Sequence, residues 1–197
     1  MKILLLSDIA DKALWDYLDR SLLEGIELVL ACGDLPAEYL SFLTCFTQAP
    51  ILYVHGNHDS GYEKKPPEGC ICVEDDIYVH NGVRILGLGG SMKYRPSTCM
   101  YTEREMNRRV RRLWWKLWRH KGFDILMTHA PARGVGDQDD LPHRGFTAFN
   151  RLMDKYHPRY MVHGHVHPQY TALSFKRERQ YSETTVINGY KRYIIEI

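Results

Sequence analysis

The chain has 197 residues, of which 44% are hydrophobic and 25% charged, and its net charge is +2. These proportions exclude a disordered or fibrous chain and allow one domain, residues 1–197, with a substantial core. No apolar run is long enough to span a bilayer, so no membrane partner is expected. Five cysteines, Cys32, Cys45, Cys70, Cys72 and Cys99, are odd in number and scattered, which points to reduced thiols in a cytoplasmic protein rather than a disulfide framework.

The opening apolar stretch, four residues after Lys2, ends at Ser7-Asp8 with no small-residue cleavage pattern. It therefore reads as a first strand rather than an export signal. Residues 12–23 place Leu14, Trp15, Leu18, Leu22 and Leu23 on one side of a helix, and residues 36–46 begin a second one with Pro36 at its first position. Short continuous apolar runs at 2–6, 27–32, 50–54, 124–127 and 160–163 have the character of strands buried on both faces. Strand and helix alternate at first, as in βαβ units. Residues 77–88 read as a hairpin around Asn81-Gly82, residues 103–121 as one long helix, and 184–197 as two strands around Asn188-Gly189. The expected fold is α/β, with two stacked mixed β-sheets flanked by helices.

Residues with metal-binding side chains fall just after the apolar runs. Asp8 follows the first, Gly33-Asp34 the second, Gly56-Asn57-His58-Asp59 the third, Thr128-His129 the fourth and Gly164-His165-Val166-His167 the fifth. In an α/β sheet the crevice beyond the carboxyl ends of the strands is where ligands bind. Five loops would thus bring carboxylates, an amide oxygen and imidazoles to one edge, a donor set suited to manganese, iron or zinc.

This pattern resembles the calcineurin-like metallophosphoesterases, whose motifs are Asp-x-His, Gly-Asp, Gly-Asn-His-Asp/Glu, a later His and Gly-His-x-His. Thr128–Pro131, Gly134–Asp137 and Asp139–His143 also resemble a subgroup of that family. The resemblance implies a two-sheet sandwich that hydrolyses a small-molecule phosphomonoester or phosphodiester, as a phosphatase or phosphodiesterase, with two divalent metal ions. Asp34 would bridge them. Asn57, His129 and His165 would complete the second site, with Asp8 and His167 holding the first. His58 would protonate the leaving group, with Asp59 orienting its imidazole. Loop residues Arg133 and His143 are candidates for substrate contact.

One motif departs from the family. Ala10 stands where the family has a histidine ligand, so the first metal is expected to bind weakly, with Asp11 either filling in or serving as an N-cap. The helix expected at 103–121 carries eight Lys/Arg against two Glu, a net +6. It is read as a solvated basic face, ahead of a surface for a polyanion such as nucleic acid or for an anionic membrane, with Met106, Val110, Leu113, Trp114, Leu117 and Trp118 packed inward and mainly Trp115 outside. Two other readings compete with the hydrolase: a regulatory phosphate-binding module, and a nuclease-like nucleic-acid-binding protein suggested by the basic segment. His55 and His163, inside strand runs, are taken as buried core residues.

Overall fold

The structure, a computed structural model, describes residues 1–168 and 175–197. Its strands in chain order are β1 (Lys2–Ser7), β2 (Leu28–Ala31), β3 (Ile51–Tyr53), β4 (Ile71–Cys72), β5 (Asp76–His80), β6 (Val83–Leu88), β7 (Ser91–Met92), β8 (Met100–Tyr101), β9 (Ile125–Thr128), β10 (Tyr160–His163), β11 (Glu178–Tyr181), β12 (Thr184–Asn188) and β13 (Lys191–Glu196). The α-helices are α1 (Ala37–Leu43), α2 (Glu103–Arg112), α3 (Trp114–Arg119) and α4 (Thr147–Tyr156).

Two mixed sheets dominate. One has the order β13-β1-β2-β3-β4 and the other β11-β12-β10-β9-β6-β5, while β7 and β8 form a separate pair. Within the first sheet β1 to β4 are parallel and β13 runs antiparallel to β1. Within the second, β12, β10, β9 and β6 are parallel, with antiparallel β11 and β5 at the edges.

Strand alternation explains why the apolar runs are continuous. Ile3 and Leu5 of β1, with Leu28, Leu30, Ile125, Met127, Val162 and Ile187, fill the space between the sheets. Their neighbours Leu4 and Leu6, with Val29 and Ala31, face outward onto α1 through Tyr39, Leu40 and Leu43. On the second sheet Leu86, Leu126, Met161 and Val186 meet Met106, Phe149, Leu152 and Met153 from α2 and α4. A strand covered on both faces has no polar side to show.

Residues 12–23 do not form the expected helix. Two 3-10 turns, Lys12–Leu14 and Arg20–Leu23, stand there instead. Asp11 and Asp19 each accept a backbone N–H two residues on, so each starts a turn of its own rather than letting one helix run through. Asp11 is therefore the N-cap, and its carboxylate also lies at ion-pair distance, 3.2 Å from Arg192 and 3.6 Å from Lys191. Pro36 is the residue before α1 rather than its first. The hairpin forms with Asn81 and Gly82 both at positive φ. The two C-terminal strands form but join different sheets, β12 beside β10 and β13 beside β1.

The segment 103–121 breaks at Leu113, which ends α2 and precedes α3. Met106, Leu113 and Leu117 are buried as expected, but Trp114 and Trp118 are 65% and 67% exposed. The core-facing stripe Met106, Val110, Leu113 and Leu117 continues through the break, and the indoles lie on its exposed flank.

The two sheets meet tightly where β1 and β10 end. A Cβ on Gly164 would lie 1.8 Å from Ser7 Oγ and 2.6 Å from Asp8 Oδ2. Only glycine fits, so Gly164→Ala must push these loops apart. Chemical denaturation is expected to show a loss of about 1–3 kcal/mol, whereas a loss below about 0.5 kcal/mol would mean that the contact is slack.

Candidate metal centre

Each candidate ligand follows the carboxyl end of a parallel strand: Asp8 after β1, Asp34 after β2, Asn57 after β3, His129 after β9, and His165 and His167 after β10. Three of them take a backbone shape that L residues avoid. Asp8 has φ 68°, Asp34 φ 56° and His165 φ 68°. Each such residue costs roughly 1–3 kcal/mol unless its surroundings impose it, and such residues cluster at functional sites. Glycine makes room beside them: a Cβ on Gly56 would lie 2.1 Å from Asp34 Oδ1.

The side chains converge on His129 Nε2. Asn57 Oδ1 lies 3.0 Å away, His165 Nδ1 3.1 Å and Asp34 Oδ2 3.4 Å. His129, His165 and Asn57 are all buried. The outer nitrogen of each imidazole is tied to a backbone carbonyl. His129 Nδ1 is 2.8 Å from Cys32 O, and His165 Nε2 is 2.8 Å from Pro142 O. A carbonyl only accepts, so both outer nitrogens carry N–H. In the neutral rings this leaves the inner nitrogens as lone pairs, that of His129 facing Asp34 and the amide oxygen of Asn57 and that of His165 facing His129. Fixing the tautomer from behind is the arrangement that holds imidazoles for a metal ion. Asp34, His129 and His165 present donor atoms all within 4.8 Å of one another, so the residues fit a divalent ion.

Asp8 and His167 stand beside this cluster, with His167 Nε2 3.3 Å from Asp8 Oδ1. The Asp8 carboxylate also accepts the backbone N–H of His165. Ala10 lines the adjoining groove with Asp8, Asp34 and His58, and its methyl offers no donor there.

His58 is exposed at the mouth of the pocket, which Tyr94, Pro142 and His143 also line. Its backbone N–H donates to Asp34 Oδ1 at 2.8 Å. Asp59 has a different task from the one expected. Its Oδ2 accepts the backbone N–H groups of Asp34 and Gly56, both at 2.7 Å. Among the described residues no hydrogen bond joins this carboxylate to the His58 ring. Asp59 clamps two ligand-bearing loops together, and burial, then the neighbouring Asp34 charge, raises its carboxyl to about 6.

His143 is placed at the pocket rim, where its Nδ1 meets Asp140 at 2.7 Å. Arg133 is not placed there. Its guanidinium is engaged within its own loop by Asp137 at 2.8 Å and by the carbonyl of Gln138. His163 is a neutral core residue, lowered to about 4 by burial. His55 is more than core: its ring and backbone N–H both meet Glu74, which Arg109 holds in turn at 2.6 Å. Arg109 is itself buried, and it bonds Asp75 and the carbonyl of Gly89. This network anchors the loop that carries Asn57 and His58. It lay hidden among the basic residues of the 103–121 segment. Nothing in the sequence marks the carbonyls of Cys32 and Pro142 as tethers.

The charges are strongly coupled. Burial opposes ionisation of Asp34, yet His129 beside it holds the carboxyl well below its ordinary range. Burial likewise works against a charged His129, but Asp34 and then Asp8 outweigh it and raise the ring to about 9. Burial, followed by the His129 charge, lowers His165. His129 is therefore charged at neutral pH when no metal is bound, and it must lose its Nε2 proton to become a ligand. Binding of a divalent ion is expected to release about one proton at neutral pH, seen by calorimetry in buffers of different ionisation enthalpy. Apparent affinity should rise roughly tenfold per pH unit up to about 9 and then level off. Binding without proton release would contradict the site.

Comparison with known proteins follows the same lines. No functionally curated sequence matches the chain. Its fold is shared with TT1561 of Thermus thermophilus, at a TM-score of 0.65 and 16% identity over 96% of this chain and 89% of that one. It is also shared with GAP50, described as the anchor in the inner membrane complex of Plasmodium, at a TM-score of 0.58 and 11% identity over 95% and 70%. The sequence model for calcineurin-like phosphoesterases matches residues 1–169, a span that contains every candidate ligand. The chain belongs to the calcineurin-like phosphoesterase family.

Proposed function

We propose that the chain hydrolyses phosphate esters, with Asp34, Asn57, His129 and His165 holding one divalent ion and Asp8, Asp34 and His167 a second. The observation that carries this reading is the pair of imidazoles tied from behind, with the inner nitrogen of His129 turned toward Asp34 and Asn57 and that of His165 beside it in the same cluster of donor atoms. Manganese, iron or zinc bound there supplies Lewis acidity toward the phosphoryl oxygens and a water acidified toward neutral pH.

The remaining work falls to the chain's own residues. Asp34 sits between the two donor sets, with Oδ1 fixed by the His58 N–H and Oδ2 turned to His129. Asp59 keeps Asp34 and Gly56 in register through their backbone N–H groups. His58, exposed at the mouth, stands clear of the ligand cluster, where its imidazole can hand a proton to a departing alkoxide. The pocket it borders is open on the Ala10 side, which leaves room for the organic part of an ester.

His58→Ala is expected to keep its metal content and lose roughly a hundred- to ten-thousand-fold in turnover, the range for a missing general acid. Chromogenic monoesters and diesters with good and poor leaving groups give the readout, and the loss should be steepest for the poor ones. Equal losses across the series would reduce His58 to positioning, and loss of metal would make it a ligand.

Ala10→His should add a donor to the site that has fewest. Metal stoichiometry against chelator concentration is expected to show one ion of the native protein leaving early, and that ion retained longer in the variant. Superimposable titrations would remove the weak first site from the account.

A further inference from the structure

The break at Leu113 leaves a surface that the metal chemistry does not use. Trp114, Trp115 and Trp118 are 65%, 48% and 67% exposed on the short helix α3. Together they hold three of the four tryptophans of the chain. They touch one another: Trp115 and Trp118 stack with centroids 4.8 Å apart, and Trp114 meets Trp115 edge-on at 5.7 Å. Folding has gained little from these indoles, which stand as one apolar ridge in water.

Cations surround the ridge. Arg111, Arg112, Arg119 and Lys121 are exposed, and among the described residues none has an ion pair or side-chain hydrogen bond. Of the other basic residues in the segment, Arg109 is consumed by Glu74 and Asp75, and Lys116 by Asp76. A groove beside the ridge is lined by Trp114, Trp118, Arg119, Lys121, Lys155 and Tyr156. Lys121 shortly precedes β9 and Tyr156 shortly precedes β10. The groove therefore lies toward the amino ends of those strands, whereas the ligands follow their carboxyl ends.

We infer that this ridge docks the protein on an anionic phospholipid surface. Such a surface presents negative headgroups above an apolar layer. Indoles settle at that boundary while arginine and lysine remain among the phosphates. Both requirements are met by the exposed indoles of α3 together with the cations on and flanking it. Single-stranded nucleic acid fits less well. It needs open aromatic faces for its bases, and Trp115 and Trp118 cover each other. The position away from the ligand-bearing strand ends leaves the metal pocket clear when the ridge is engaged. The expectation that no membrane takes part rested on the lack of a spanning apolar run, which docking on a surface does not require.

The test is sedimentation of the full chain with vesicles of phosphatidylcholine alone and of phosphatidylcholine rich in phosphatidylserine, at low and at physiological ionic strength. Binding is expected on the anionic vesicles only, weaker at higher salt and accompanied by a blue shift of tryptophan fluorescence. Trp114→Ser/Trp118→Ser should weaken it by on the order of tenfold or more. Arg111→Glu/Arg119→Glu should weaken it comparably. Both variants should keep their melting temperature, because the replaced groups are exposed. No binding to the anionic vesicles at low salt, or binding indifferent to the tryptophans, would overturn the inference. So would tryptophan-dependent binding of a single-stranded oligonucleotide, or tryptophan-dependent self-association, without vesicle binding.

Discussion

Two hydrogen bonds to backbone carbonyls govern the chemistry of this molecule. Cys32 O holds His129 from behind, and Pro142 O holds His165. A neutral imidazole has one donor and one acceptor nitrogen, and without these tethers either could face inward. With them, Nε2 of His129 and Nδ1 of His165 are the acceptors, 3.1 Å apart. Two buried lone pairs at that separation repel each other unless a proton or a metal ion lies between them and the facing oxygens. The raised His129 and lowered His165 are the protein's answer in the absence of metal: one ring takes the charge and the other gives it up.

Three residues of this site are held in a strained backbone shape. Asp8, Asp34 and His165 sit at positive φ, at roughly 1–3 kcal/mol each. Burying one or two leucines fully contributes a similar amount, and the strands leading into these loops are lined with buried Leu, Ile and Val. Strand order places the loops, since β2 and β3 continue from β1 in one sheet while β9 and β10 adjoin in the other. Backbone contacts then fix them: the N–H groups of Asp34 and Gly56 close on Asp59, and that of His165 closes on Asp8. Neither sheet alone carries a complete ligand set.

Much of this is legible in the chain, because hydrophobic runs and ligand residues are local signals. The five apolar runs became β1, β2, β3, β9 and β10, and Asn81-Gly82 became a turn for the φ it requires. Other features depend on partners distant in sequence. That Asp59 serves two backbone N–H groups, or that Arg133 turns to Asp137, follows from loop geometry that composition does not encode. Arg109 reads as one more surface cation until Glu74 is placed beside it. The helix expected at 12–23 failed because Asp11 and Asp19 each offered the backbone a nearer partner. The indoles of α3 were misplaced because the core-facing stripe is narrower than expected: Met106, Val110, Leu113 and Leu117 fill it, and Trp114 and Trp118 fall on its flank.

The central claim is that His129 and His165 present chosen nitrogens to a divalent ion. Nitrogen-15 NMR of the imidazole rings during a zinc titration observes this directly. Zinc is expected to shift Nε2 of His129 and Nδ1 of His165, while Nδ1 of His129 and Nε2 of His165 keep the signals of protonated nitrogens bonded to carbonyls. Zinc bound through the opposite nitrogens, or with neither ring responding, would contradict it.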